Sequence, residues 1–168
     1  MDLLELKRLQ DPLKEKYRTN PNSALITLSA TARCGEGVTC KIETGQMMAE
    51  AGLHPATGGD GLSVCSGDML LEALAACAGV TLKAVATSIN FSFQDAYVQV
   101  EGDLDFRGTL SVDRDAPVGF RDIRLRFQLD TVEPPEKIKT LIKLTERYCV
   151  VYQTLIKENA ISVSINKS

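Results

Sequence analysis

The sequence holds a single histidine, His54, among 168 residues. A site assembled from several imidazoles is therefore excluded. His54 stands beside Pro55 in a Gly-rich stretch and reads as a loop residue rather than a base or a ligand. Metal-ligand spacing is missing too. Cys34 and Cys40 lie six apart across a predicted turn, outside the two- to four-residue gap of zinc sites, and Cys65 stands alone. No metal and no cofactor are expected. There is no excess of basic residues: 19 Lys and Arg face 22 Asp and Glu, giving a net charge of −3, so nucleic acid is not an expected partner. Charges interrupt each apolar run short of the length a membrane span needs, so no membrane partner is expected either. Met1 to Arg8 lacks the basic-then-apolar layout of a signal peptide. With five cysteines, an odd number, this points to reduced thiols in the cytoplasm rather than a disulfide framework. No internal repeat or low-complexity segment occurs. The length suits one domain over residues 1–168, with residues 1–18 as an N-terminal amphipathic helix extension.

What is present centres on one stretch, Ser66 to Ser88. Ser66 is a suitable N-cap, and Asp68 in the first turn suits the positive end of a helix. The interior is rich in Ala and Leu and free of Pro, so about twenty residues can stay helical. After Asp68 its only charges are Glu72 and Lys83, and its apolar positions run all the way round. A helix apolar on every side is expected to be buried on every side. The small residues Ala73, Ala75, Ala76, Ala78 and Gly79 let another element approach closely. Midway along stands one thiol, Cys77. A second, Cys149, follows in another helical stretch, Glu146 to Leu155.

The remaining chain reads as follows. Residues 2–18 carry Leu at positions 3, 6, 9 and 13 in an amphipathic helix, broken by Asn20-Pro21-Asn22-Ser23. Ala24 to Arg33 alternates as a strand, Cys34 to Gly37 turns, and Val38 to Glu43 returns, making a hairpin. Met47 to Glu50 is either a further short strand or a loop. Beyond the central helix, Phe91–Phe93, Ala96–Leu110 and Phe120–Leu129 read as strands. In the second of these, Gln99, Glu101, Asp103 and Asp105 alternate with Val98, Val100, Leu104 and Phe106, and Gly102 occupies one apolar position. Ser111 to Gly119 connects. Glu133-Pro134-Pro135-Glu136 opens a helix running toward Cys149, which the following segment either continues or restarts. Ile161 to Ile165 is a predicted final strand. The class is α+β, with strands grouped on either side of the central helix.

Two motifs carry a family resemblance. One is Gly58-Gly59-Asp60 followed by Ser66 to Cys77; the other is Arg147-Tyr148-Cys149-Val150-Val151-Tyr152-Gln153-Thr154-Leu155. Over roughly residues 24–166 the chain resembles the osmotically inducible protein C (OsmC) and organic hydroperoxide resistance family, most closely its OsmC-like branch. The resemblance implies an intertwined homodimer with strands flanking a long buried helix. It also implies a two-cysteine thiol peroxidase. Cys77 would attack an organic hydroperoxide and become a sulfenic acid, Cys149 would condense with it, and a dithiol or lipoylated-protein reductant would reopen the disulfide.

The same resemblance assigns roles to two charged residues. Arg33 at the end of the first hairpin strand is the cation that would lower the thiol pKa. Asp68, nine before Cys77, stands where relatives carry a Glu, though it serves equally as a helix-capping acid. Nine residues of straight helix span roughly 13 Å. Asp68 would therefore act from the other subunit or through an arginine. Arg121, Arg124 and Arg126 read as a solvated face, and Arg147 as a surface residue. The chain departs from the resembled pattern twice: Val150 replaces a common Pro after the second cysteine, and Asp68 is shorter than Glu. The plainer alternative makes both thiols ordinary core cysteines, since free Cys is among the most buried residue types. The protein would then be a non-catalytic binder of a small apolar ligand at the dimer interface.

Overall fold

The central helix is α1, Ser66–Ser88, and its bounds match those read from the sequence. In this computed structural model the described residues are 2–5, 7, 8, 10, 11, 19, 31–34, 39–43, 48–111 and 113–166; side chains are not described between 31 and 49. Ahead of α1 runs a sheet of four strands in the order β1 (Thr31–Cys34), β2 (Thr39–Glu43), β3 (Met48–Gly52) and β4 (Val64–Cys65). The first three are antiparallel neighbours; the hairpin forms, but Cys34, expected in the turn, is the last residue of β1 and lies opposite Cys40, while residues 24–30 of the expected first strand lie outside the described residues. The segment that read as either strand or loop is thus a strand from Met48 to Gly52. β4 pairs in parallel with β3 and leads straight into α1. The expected cap shifts by one residue in consequence. Cys65, extended at φ −73° and ψ 137°, is the N-cap, and Ser66 is already helical.

After α1 come β5 (Asp95–Leu104) and β6 (Phe120–Asp130), an antiparallel pair with an irregularity at Asp103/Leu104. Between them sits a single helical turn, α2 (Phe106–Thr109). This corrects the strand expected to run on to Leu110. Asp105 accepts from the Arg107 N–H and caps the turn, so the ladder stops. Phe91–Phe93 is likewise not a strand. Asn90 adopts φ 53°, and the Phe91 N–H donates to the Ala86 carbonyl at 2.9 Å. The chain thus doubles back under the helix end, and Phe91 is buried there. Two helices follow, α3 (Pro135–Tyr148) and α4 (Val150–Leu155), separated only by Cys149. The predicted strand at Ile161–Ile165 is absent as a paired element: residues 158–166 belong to no helix or strand and are exposed. At the N-terminus, residues 3–5, 7, 8, 10 and 11 are helical, opened by a reciprocal capping pair between Asp2 and Glu5. Most of the rest of the expected 2–18 helix lies outside the described residues.

α1 packs on β5, α3 and α4. Leu74, Ala78 and Leu82, four apart, are buried, with Val85 and Ala86 one turn on. Leu82, Val85, Ala86, Phe91 and Leu141 form one core cluster, joined by Ala96, Val98, Phe127 and Leu129 from the sheet. Full burial of each Leu contributes about 1.5–3 kcal/mol.

The opposite side of α1 is not buried within one chain. Ala73, Ala76 and Val80, spaced three and four apart, stay exposed, Val80 by 73 %. Only 28 % of the most apolar eighteen-residue window of α1 is buried. By length and composition alone this helix is also apolar enough to cross a membrane, so its few charges do not interrupt it as the sequence reading held.

Candidate functional site

The site is built where α1 meets the break between α3 and α4. Cys77 lies on α1, one residue before the fully buried Ala78. Cys149, 1 % exposed, serves as both the C-cap of α3 and the N-cap of α4, with extended φ −73° and ψ 109°. Both thiols belong to one apolar cluster with Leu74, Ala78, Val98, Leu125, Val151 and Tyr152. They are free thiols packed against one another in that cluster.

The break explains what surrounds them. A continuous helix would direct the Val150 N–H to the Glu146 carbonyl, four residues back. Here the Cys149 N–H still reaches the Thr145 carbonyl at 2.9 Å, but the extended Cys149 ends the ladder there. The Glu146 carbonyl instead accepts from Gln153 Nε2 at 2.9 Å. The first N–H groups of α4 lie next to the thiol pair, and those of Val150 and Val151 act to lower the Cys77 pKa. Thr81, one turn after Cys77 on the same face of α1, adds a side-chain hydrogen bond.

Burial alone would push the Cys77 thiol up. The Val151 N–H, Cys149, the Val150 N–H and Thr81 together outweigh it, and the Cys77 pKa falls below that of an ordinary thiol. Cys149 moves the opposite way. Burial raises it, and the neighbouring Cys77 adds to the rise, against weaker donation from the Tyr152 and Val151 N–H groups. The arrangement holds one thiol ready to ionise and keeps its neighbour protonated.

A groove of about 540 Å³ opens beside this pair, lined by Gln10, Val80, Thr81, Ala84, Leu144 and Tyr148 among others. Thr81 is common to the groove and to the Cys77 contacts.

Of the residues singled out from sequence, the structure brings Cys77 and Cys149 together. Asp68 is exposed in the first turn of α1, nine residues before Cys77 on the same helix, so it does not reach that thiol within one chain. Arg33 is on β1 opposite Lys41, but its side chain lies outside the described residues. Arg147 is exposed over the Tyr148 ring, 5.5 Å from its centroid. Arg124 and Arg126 bond to Glu101, and Arg124 also to Asp103 and Asp122, as a solvated charged face. His54 is a loop residue, its Nδ1 accepting from the Ala56 N–H and its ring stacked on Phe106 at 4.9 Å. Among the described residues no cluster of His, Cys, Asp and Glu could hold a metal ion.

The sequence reading missed Thr81 and the Val150 and Val151 amides. Thr81 carried a signal, since it follows Cys77 at helical spacing. The backbone donors carried only a negative one: residue 150 is not Pro.

Comparison with solved structures places the fold. An OsmC-like protein from Mycoplasma pneumoniae superposes with a TM-score of 0.66 at 20 % identity, covering 78 % of this chain and 88 % of that one. An organic hydroperoxide resistance protein OsmC, described as a predicted redox protein, from Legionella pneumophila gives 0.61 at 18 % identity, covering 78 % and 90 %. One from Elizabethkingia anophelis, an organic hydroperoxide resistance protein, gives 0.61 at 18 %, covering 77 % and 88 %. At these identities the likeness establishes the α+β architecture with its long central helix. Comparison with curated proteins finds no match. The family model for OsmC-like protein matches residues 58–166, well over half of the sequence and a span that holds α1, the α3–α4 break and both thiols. By that match the chain belongs to the OsmC-like protein family.

Proposed function

We propose that this protein is a thiol-dependent peroxidase that reduces organic hydroperoxides to alcohols through Cys77 and Cys149. The observation that carries the reading is the packing of two free thiols, Cys77 and Cys149, in one apolar cluster, with Cys77 shifted toward the thiolate and Cys149 toward the thiol. In the first step the Cys77 thiolate attacks the outer oxygen of the peroxide bond. The S–O bond forms as the O–O bond breaks; the alkoxide leaves and takes up a proton as alcohol, and Cys77 becomes a sulfenic acid. In the second, the Cys149 sulfur attacks the sulfenic sulfur, forming a disulfide and releasing water made from the hydroxyl and the Cys149 proton. A dithiol, free or carried on a lipoylated protein, then supplies two electrons and two protons and regains its own disulfide form.

The apolar cluster around both sulfurs and the groove past Val80, Ala84 and Leu144 favour alkyl or aryl hydroperoxides over hydrogen peroxide. The reading includes a homodimer in the cytoplasm. A second copy over Ala73, Ala76 and Val80 would cover the bare side of α1 and close the groove between protomers. In such a dimer Arg33 and Asp68 would act on the Cys77 of the other protomer, Arg33 as an added cation and Asp68 as its acid partner.

The test is stoichiometric cumene hydroperoxide followed by mass measurement without reductant. The wild-type chain is expected to lose two hydrogens as the Cys77–Cys149 disulfide forms. Cys149→Ser should stop at a sulfenic acid captured by dimedone, and Cys77→Ser should consume no peroxide. Equal peroxide consumption by wild type and Cys77→Ser would overturn the reading. The binding-protein alternative predicts that neither thiol is lost.

A further inference from the structure

The groove beside the thiol pair runs between two rows of side chains. On α1 the row is Thr81, Ala84 and Ser88, spaced three and four apart, and Cys77 is its next member toward the start of the helix. On α3 it is Leu144 and Tyr148, and Cys149 follows directly. Both rows therefore lead to the thiols. A third wall comes from far off in the sequence, from Gln10. We propose that Gln10 is a specificity-determining residue: from the N-terminal helix it narrows this groove and sets how large an organic group reaches Cys77. The proposal rests on the reading of Cys77 as the attacking thiol and names what selects among its hydroperoxides.

Three observations support the assignment. The N-terminal helix turns one face toward the body of the protein. Leu3 and Gln10, seven apart and so two turns on, are half-buried, whereas Leu4, Glu5, Lys7, Arg8 and Asp11 are exposed. Gln10 therefore meets the groove from the packed face of its helix. The α1 side of the groove is built from small side chains, Thr81, Ala84 and Ser88, so its width is set by the longer ones across from them, Gln10 and Tyr148. Finally, Gln10 lies outside residues 58–166, the span that matches the family model, while both thiols and both helical rows lie inside it. The reacting groups and the floor of the groove thus come from the family's portion of the chain, and this wall comes from beyond it. Compact alkyl hydroperoxides pass such a wall more easily than bulky aryl ones.

The experiment compares two reagents on Cys77, resolved from the other thiols by peptide mass spectrometry: small iodoacetamide and bulky N-(1-pyrenyl)maleimide. Both need the thiolate, so the ratio of their rates reports access and cancels any change in acidity. A change of one methylene in an apolar pocket is worth about tenfold or more. Gln10→Trp should therefore cut the maleimide-to-iodoacetamide ratio roughly tenfold, and Gln10→Ala, which suits a helix, should raise it. Gln10→Met keeps the length of the side chain and should leave the ratio in place. Cys65, which does not line this groove, should keep its ratio in all of them. An unmoved Cys77 ratio in both Gln10→Trp and Gln10→Ala would overturn the proposal, as would a shift in Gln10→Met as large as in Gln10→Trp. In turnover, Gln10→Trp should raise KM for cumene hydroperoxide and spare that for tert-butyl hydroperoxide, with kcat kept for both. Equal rises for the two would overturn the selection of substrate by size. A shifted labelling ratio in a protein whose wild type consumes no peroxide would sink the peroxidase reading and uphold Gln10 as the residue that limits access to Cys77.

Discussion

Cys77 and Cys149 pack in one apolar cluster, and their acidities move apart: Cys77 toward the thiolate and Cys149 toward the thiol. The asymmetry comes from the backbone. The Val150 and Val151 N–H groups and Thr81 lower the Cys77 pKa past the effect of burial, whereas at Cys149 burial prevails. Two cysteines of one apolar cluster thereby differ in chemistry without any charged side chain beside them among the described contacts.

The order of modification follows. At neutral pH iodoacetamide should label Cys77 well before Cys149. As pH rises, Cys77 should reach its midpoint below that of an ordinary thiol and Cys149 above it, because only the thiolate reacts. Time-resolved peptide mass spectrometry checks this. Labelling of Cys149 ahead of Cys77 would contradict the assignment of attacking and resolving roles.

Thr81 offers a side-chain test of the same electrostatics. Thr81→Val keeps the shape of the residue and removes the hydroxyl. A single hydrogen bond is worth about 1 kcal/mol, roughly fivefold in the ionised fraction of Cys77 near pH 7. Alkylation should slow by that factor in Thr81→Val and recover in Thr81→Ser. Equal rates in all three would show that the hydroxyl does not act on the sulfur.

Gly102 tests the sheet that backs the site. It lies at an inward position of β5, and a Cβ there would meet the Phe120 ring at 2.6 Å and Leu71 at 3.2 Å. Gly102→Ala should lower stability by about 1–3 kcal/mol through this overpacking. The loss should appear in urea midpoints and be partly recovered by Phe120→Leu. A stability equal to wild type would mean that Phe120 moves aside without cost.

These residues also show which features the sequence disclosed. The long helix was legible because Ala and Leu persist from Met69 to Ala86 without Pro, and the thiols were legible as a motif. Gly102 was legible only as an interruption, since nothing local tells that Phe120 fills its place. Phe91 and Phe93 alternate as a strand would, yet Phe91 is buried by a turn under α1 and Phe93 packs beneath Lys83 at 4.6 Å. Ile161, Val163 and Ile165 alternate too, but no strand among the described residues pairs with them, and periodicity records a face rather than its partner. The donors to Cys77 were the hardest to foresee. Backbone N–H groups are present at every residue but proline, so their direction depends on the break at Cys149, which a continuous helical pattern conceals.

The last prediction concerns the bare side of α1. Val80 is 73 % exposed, and Ala76 and Ala73 lie one and two turns before it on the same face. Their small side chains allow a second helix to approach closely, and Val80 supplies the apolar knob for the crossing. If two copies pack there, wild type should sediment at twice its 18.3 kDa mass at micromolar concentration. Val80→Glu would place an unpaired charge in that contact at a cost of several kcal/mol per protomer, enough to give monomers. The helix still holds Leu74, Ala78 and Leu82 on its other side, so the monomeric variant should keep its helical circular dichroism. Its Cys77 alkylation then separates the two sources of activation. If the Val150, Val151 and Thr81 donors suffice, the Cys77 midpoint survives monomerisation. If it rises instead, a group from the second copy contributes, and Arg33→Ala in the wild-type dimer should reproduce the rise. A wild-type protein that sediments as a stable folded monomer would remove the dimer from the proposed function and, with it, the action of Asp68 from a second copy on Cys77.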